Sequence, residues 1–116
     1  MAKYLLLIHE DESALAGADE ATYKHLYDEH MAFGAEFKDV LLGGEALTPT
    51  PTTTTVRRDG DGFVVTDGAF AEVKEALGGY YLIDVPDLDA AIACAKKVPI
   101  GPWDGHIQVR PIMVFE

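Results

Sequence analysis

The chain has a single cysteine, Cys94, so it can form neither an intrachain disulfide nor a cysteine-based zinc site of its own. Cations are also scarce. Nine Lys and Arg stand against twenty Asp and Glu, a net charge of −11. A field of that sign repels phosphate backbones and anionic lipid headgroups, which argues against nucleic acid and membrane surfaces as partners. Long apolar runs are missing too: Tyr4 to Ile8 is too short for a membrane span or a signal-peptide core and leads straight into charges. These absences point to a reducing compartment, and a cytoplasmic protein is expected. There is no short metal motif of the His-Glu-x-x-His kind, and Gly78-Gly79 leads into a strand-like run instead of a phosphate-cradling helix. The expectation is a protein with no metal and no organic cofactor.

What is present suffices for one domain. At 116 residues, a chain buries roughly two-thirds of the surface it exposes when unfolded. No repeat or linker divides it, so residues 1–116 form one unit. Lys3 to His9 has the length and apolarity of a strand, broken by Glu10-Asp11-Glu12-Ser13. Asp19 is a plausible helix N-cap, and Tyr23, Leu26, Tyr27, Phe33 and Phe37 recur at helical spacing to about residue 38. Val40 to Gly44 predicts a short strand. Thr53 to Thr66 predicts a hairpin turning at Asp59-Gly60-Asp61-Gly62, and Tyr80 to Val85 a central strand. A second helix starts near Pro86-Asp87, with Leu88, Ala91, Ile92, Ala95 and Val98 on one side and Pro99 as its stop. The last strand spans His106 to about Met113. This order predicts an α+β, ferredoxin-like split βαβ fold with an inserted hairpin and both helices on one face of an antiparallel sheet. The other face needs a cover, and a second copy is the simplest one, so a homodimer is expected.

Five segments share a common signature: Gly43-Gly44-Glu45-Ala46-Leu47, Thr54-Thr55-Val56-Arg57, the stretch Thr66 to Glu75, Gly78-Gly79-Tyr80-Tyr81-Leu82-Ile83-Asp84-Val85, and Val109-Arg110-Pro111. Together they resemble the DGPF subgroup of the YCII-related family nearly end to end. That resemblance implies a ferredoxin-like, dimeric α/β barrel. Ala69 stands where the motif has proline, which leaves the turn less preset in φ. Most members have no assigned reaction. The wider family resembles enzymes that use a His-Asp pair on small cyclic or phenolic compounds, including a dehydrochlorinase, and DGPF domains also accompany certain sigma factors. No His-Asp pair at matching spacing occurs here, so no catalytic residue is carried over.

The residues themselves supply candidates. Asp67, Glu72, Lys74 and Glu75 crowd into nine residues, close enough to shift one another's pKa values and make a carboxyl usable as acid or base. The plainer account is a turn at Asp67-Gly68 with solvated carboxylates and Phe70 as its anchor. His30 falls in the stripe of Tyr23, Leu26, Tyr27, Phe33 and Phe37 and faces the sheet, whereas His25 faces away. An inward imidazole can act as a base near neutral pH, although a hydrogen-bonded core role is the commoner one. His9 ends the first strand beside acidic residues. His106, Gln108 and Arg110 share one face of the last strand. Arg110 suits a substrate carboxylate, or an internal ion pair with Asp67, Glu72 or Asp84, which is slightly favoured. Cys94, on the second helix, suits packing better than catalysis.

Two functions follow. One is a cofactor-free lyase or isomerase acting on a small organic molecule, with His30, Asp67 and Glu72 exchanging protons and His9, Lys74 and Arg110 contacting substrate. The other is a non-catalytic dimer that binds a small molecule or serves regulation. Whether the protein is an enzyme at all is left open by the residues.

Overall fold

The computed structural model describes residues 2–68 and 73–115. Strand β1 (Ala2–Asp11) buries Tyr4, Leu6 and Ile8 on one side and leaves Leu5 and Leu7 half-buried on the other, the alternation of a strand with one covered face. It is longer than its apolar run. The acidic stretch after His9 continues the strand to Asp11, whose carboxylate then accepts the Ala14 N–H at 3.1 Å and caps a short helix α1 (Glu12–Ala16). Helix α2 (Glu20–Glu36) starts as predicted, with the Asp19 carboxylate accepting the Thr22 N–H at 2.8 Å.

Strand β2 (Leu41–Ala46) leads to a turn of 3-10 helix, Thr50–Thr52, and then to the hairpin of β3 (Thr54–Asp59) and β4 (Gly62–Asp67). Gly60 takes the positive φ of +60° that the tight turn requires. Strand β5 (Glu75–Val85) begins five residues before the predicted Tyr80, taking Gly78-Gly79 into its interior. The register explains how. Ile8 pairs with Gly79 but His9 pairs with Leu77, so Gly78 is an extra residue in a β-bulge. Helix α3 (Leu88–Ala95), capped by Asp87, ends before Val98, which completes the turn with a bond to the Ala95 carbonyl. Strand β6 (Gly105–Pro111) ends at Pro111, short of the predicted Met113.

The main sheet is ordered β2-β5-β1-β6 with every neighbouring pair antiparallel. β5 inserts between β1 and β2, consistent with the ferredoxin-like, split βαβ α+β arrangement. Phe33 of α2 and Ala91 and Cys94 of α3 pack into one core with Tyr4, Leu6, Ile8, Ile83 and Val85, which places both helices on the same face. The opposite face carries Leu5, Leu7, Tyr80 and Leu82 by register, and no helix among the described residues lies on it. The β3–β4 hairpin forms a separate two-stranded sheet, with Val56, Phe63 and Val65 each more than 60% exposed. The chain is accordingly flat and extended. Its radius of gyration is 16.2 Å, where a compact domain of this length has about 13 Å.

Candidate functional site

The helical stripe of α2 carries Tyr23, Leu26, Tyr27 and His30 over the ends of β1, β2 and β5, leaving a cavity of about 360 Å³ between helix and sheet. Its walls include Ile8, Leu15 and Leu47, and Glu10 is the acidic group that the helix-covered face of β1 sends into it. The floor depends on glycine. A Cβ on Gly44 would lie 2.6 Å from the Tyr80 carbonyl oxygen and 2.6 Å from the Tyr81 ring, so only glycine allows β2 to approach β5 here. Tyr23 ties the rim together by donating its hydroxyl to the Leu15 carbonyl at 2.6 Å.

His30 is held by its sheet neighbour. Its Nδ1 lies 2.7 Å from the Tyr81 hydroxyl, with the ring centroids 5.9 Å apart. Burial lowers the His30 pKa, opposed in part by the nearby Glu29 carboxylate. Burial likewise raises the pKa of Tyr81. Both directions favour a neutral imidazole bonded to a neutral phenol, and either group can donate across the bond. Glu10 completes the set. Its Oε1 stands over Gly78, 2.6 Å from where a Cβ would be, and burial raises its pKa. The Trp103 indole opposes that rise, although its buried Nε1 closes no well-formed hydrogen bond among the described residues. His30, Tyr81 and Glu10 thus meet at one apolar cavity: an imidazole whose pKa burial lowers, beside a phenol and a carboxyl whose pKa values burial raises.

The other predicted site residues lie elsewhere. Asp67 ends β4, exposed and paired with Thr54, and does not line the cavity; Glu72 and Phe70 fall outside the described residues. Lys74 pairs with Asp104 at 2.7 Å on the surface, a contact that raises its pKa. Glu75 accepts from His106 Nδ1 at 2.7 Å. His9 projects to the sheet face opposite His30. There it stacks on His106, with centroids 4.6 Å apart and planes within 5°, and its Nε2 lies 3.1 Å from Gln108 Oε1. Arg110 shares that face. The internal ion pair expected for it with Asp67 or Asp84 does not form, because Arg110 is exposed on β6, Asp67 sits in the hairpin, and Asp84 Oδ1 is buried without a partner among the described residues. Cys94 is fully buried, and desolvation pushes its thiol up to about 11, so it packs as a small apolar side chain.

Glu10 and Tyr81 were missed as site residues, although a signal for Glu10 exists. It follows Ile8 by two positions and so alternates onto the same covered face. Among the described residues no group of three or more His, Cys, Asp or Glu is placed to hold a metal, and no helix is long and apolar enough to cross a membrane.

Fold and site together define an α+β domain with a four-stranded antiparallel sheet, helices on one face, and a small-molecule-sized cavity between them. The chain belongs to the YCII-related domain family, whose profile matches residues 2–116. It is 32% identical over 116 residues, 97% of this chain and 94% of the other, to an uncharacterised protein, R00369, of Rhizobium meliloti strain 1021.

Proposed function

We propose that this protein carries out cofactor-free acid–base chemistry, of the lyase or isomerase type, on a small organic molecule held between α2 and the sheet. The observation that carries this reading is the His30–Tyr81 pair at the wall of the cavity. A base must be unprotonated before it can act, and burial keeps His30 in that form, while the Tyr81 bond fixes the ring's orientation. Glu10, whose pKa the same apolar surroundings raise, is the carboxyl partner in that proton exchange. It takes the carboxyl role for which the sequence offers Asp67 and Glu72. The use of a His-carboxylate pair by the wider family agrees with this, as analogy alone.

The test is turnover on a panel of phenolic and lactone substrates by His30→Gln and Glu10→Gln, with Asp67→Asn assayed beside them to decide whether the hairpin carboxylate takes part. Turnover of the first two variants at the wild-type rate would remove both residues from the mechanism. A binding-only protein is the second reading. What favours it is that a phenol, not a carboxylate, bonds the His30 ring, so an imidazolium there has only the field of the Glu29 carboxylate, which burial outweighs. A ligand that raises the melting temperature and is recovered unaltered supports that reading.

We propose further that two copies pair through the uncovered sheet face as a dimeric α/β barrel. Support comes from Leu5, Leu7 and Leu82 half-exposed on that face and from the flat shape of the single chain.

A further inference from the structure

We infer that the cavity selects a ring-bearing organic ammonium over neutral and anionic molecules of the same shape, with Glu10 as counter-ion and the Tyr23 and Tyr27 rings facing the cationic ligand. This names the substrate class for the site proposed above and rests on that reading.

Among the described residues the lining carries no Lys or Arg, and its other acidic residue, Glu45, pairs with Tyr80 and so alternates to the sheet face opposite Gly44 and Tyr81. A carboxylate or phosphate would enter without a donor fork to receive it and would meet Glu10 as a like charge. The remainder of the chain adds to that exclusion, at a net charge of −11. Glu10 itself has no cationic partner among the described residues, whose lysine–carboxylate pairs lie on the surface at Lys24–Asp28, Lys74–Asp104 and Lys97–Glu36 and whose histidine–carboxylate pairs are His25–Glu29 and His106–Glu75. A partly buried carboxyl in that position gains most from a ligand that brings the missing positive charge.

The rest of the lining suits the apolar part of such a ligand. Leu15, Leu26 and Leu47 surround a space of about 360 Å³, the lower end of the usual range for small-molecule cavities. Tyr23 and Tyr27, which line the cavity and are 43% and 62% exposed, bring aromatic rings of the kind that attract a cation. Neutral His30 adds no repulsion. A neutral ring compound would use the same apolar walls but leave the Glu10 charge uncompensated, and this is where the two ligand classes part.

The experiment is calorimetric titration of the full chain with three molecules of one frame: phenethylamine, 2-phenylethanol and phenylacetate. The amine should bind about tenfold or more tighter than the alcohol, the gain of one charge-assisted contact, with phenylacetate weakest. Glu10→Gln should bring the amine to within about twofold of the alcohol and leave the alcohol unchanged. In the wild-type protein, added salt should weaken the amine alone, a check that does not depend on the variant folding. An amine that binds no tighter than the alcohol, or a preference that survives both Glu10→Gln and high salt, overturns the inference. Those results combined with loss of turnover in His30→Gln would remove the charge selection and leave the acid–base reading standing.

Discussion

The two faces of one sheet hold histidines in opposite circumstances. Beneath α2, His30 is half-buried against the Tyr81 hydroxyl at the wall of an apolar cavity, and burial disfavours its charged form. On the face with no helix, His9 and His106 lie stacked in parallel 4.6 Å apart, with Gln108 and Glu75 bonded at the ends of the pair. The first arrangement removes water and leaves space for a ligand. In the second, the imidazoles stack on one another and bond to Gln108 and Glu75. What separates them is strand parity combined with what covers each face. His9 adjoins Ile8 and Glu10, both on the cavity side, and a step of one residue carries it through the sheet.

The sharpest way to break this comparison is to cut one side chain from each face of the same strand. Leu6 is fully buried under the helices, so Leu6→Ala should cost about 2–5 kcal/mol in urea unfolding, with the slope unchanged. Leu5→Lys alters the uncovered face. It should cost the isolated chain far less but convert a dimer to monomer in sedimentation, because a lysine on that face cannot be buried against a second copy. Equal losses of stability from the two variants would mean that the faces differ less than the register indicates.

A smaller effect comes from titration at the cavity, where two groups oppose each other. The His30 pKa is lowered from 6.5, so below that value the unfolded chain binds a proton that the native one resists. Stability from this group is complete above pH 6.5 and is lost as the pH falls toward the native pKa. Glu10 runs the other way. Its pKa is raised from 4.5, so its contribution is complete below 4.5 and is lost as the pH rises through the native value. Across the acidic range the two slopes partly cancel in the wild type. His30→Gln should therefore expose a loss of stability with rising pH, and Glu10→Gln a gain. Melting temperatures between pH 4 and 7 measure both, and parallel curves for the two variants would contradict the assignment.

Much of this frame was legible in the residues. Asp19 caps the helix it was expected to cap, the second helix starts beside Asp87 as expected, the hairpin turns at Gly60, and His30 faces inward as its stripe predicts. The remainder was hidden for local reasons. The polar run after His9 resembles a loop, but Glu10 and Asp11 continue the strand through pairing with Ala76 and Glu75, and Asp11 then serves as a cap. The bulge at Gly78 shifts the parity of β5, so that Ala76 is buried while Leu77 is 39% exposed, and alternation cannot be counted back from Tyr80. Closeness in sequence also misled. Lys74 and Glu75 are adjacent, yet one reaches Asp104 and the other His106: Lys74 lies in the bend before β5 and Glu75 is the first residue of the strand.

The smallest expected effect concerns the histidine stack. His106 and Glu75 form a contact with side chains 47% and 30% exposed, and a pair so accessible to water contributes little, because solvent competes for both partners. His106→Ala should therefore change the stability of the monomeric chain by less than about 1 kcal/mol. If the uncovered face instead meets a second copy, the same stack lies close to that interface, and its removal should become more costly as protein concentration rises and dimers dominate. Urea unfolding at low and high concentration separates the cases. A loss near zero at both concentrations would keep His9 and His106 solvent-facing and confine the consequential histidine chemistry to His30.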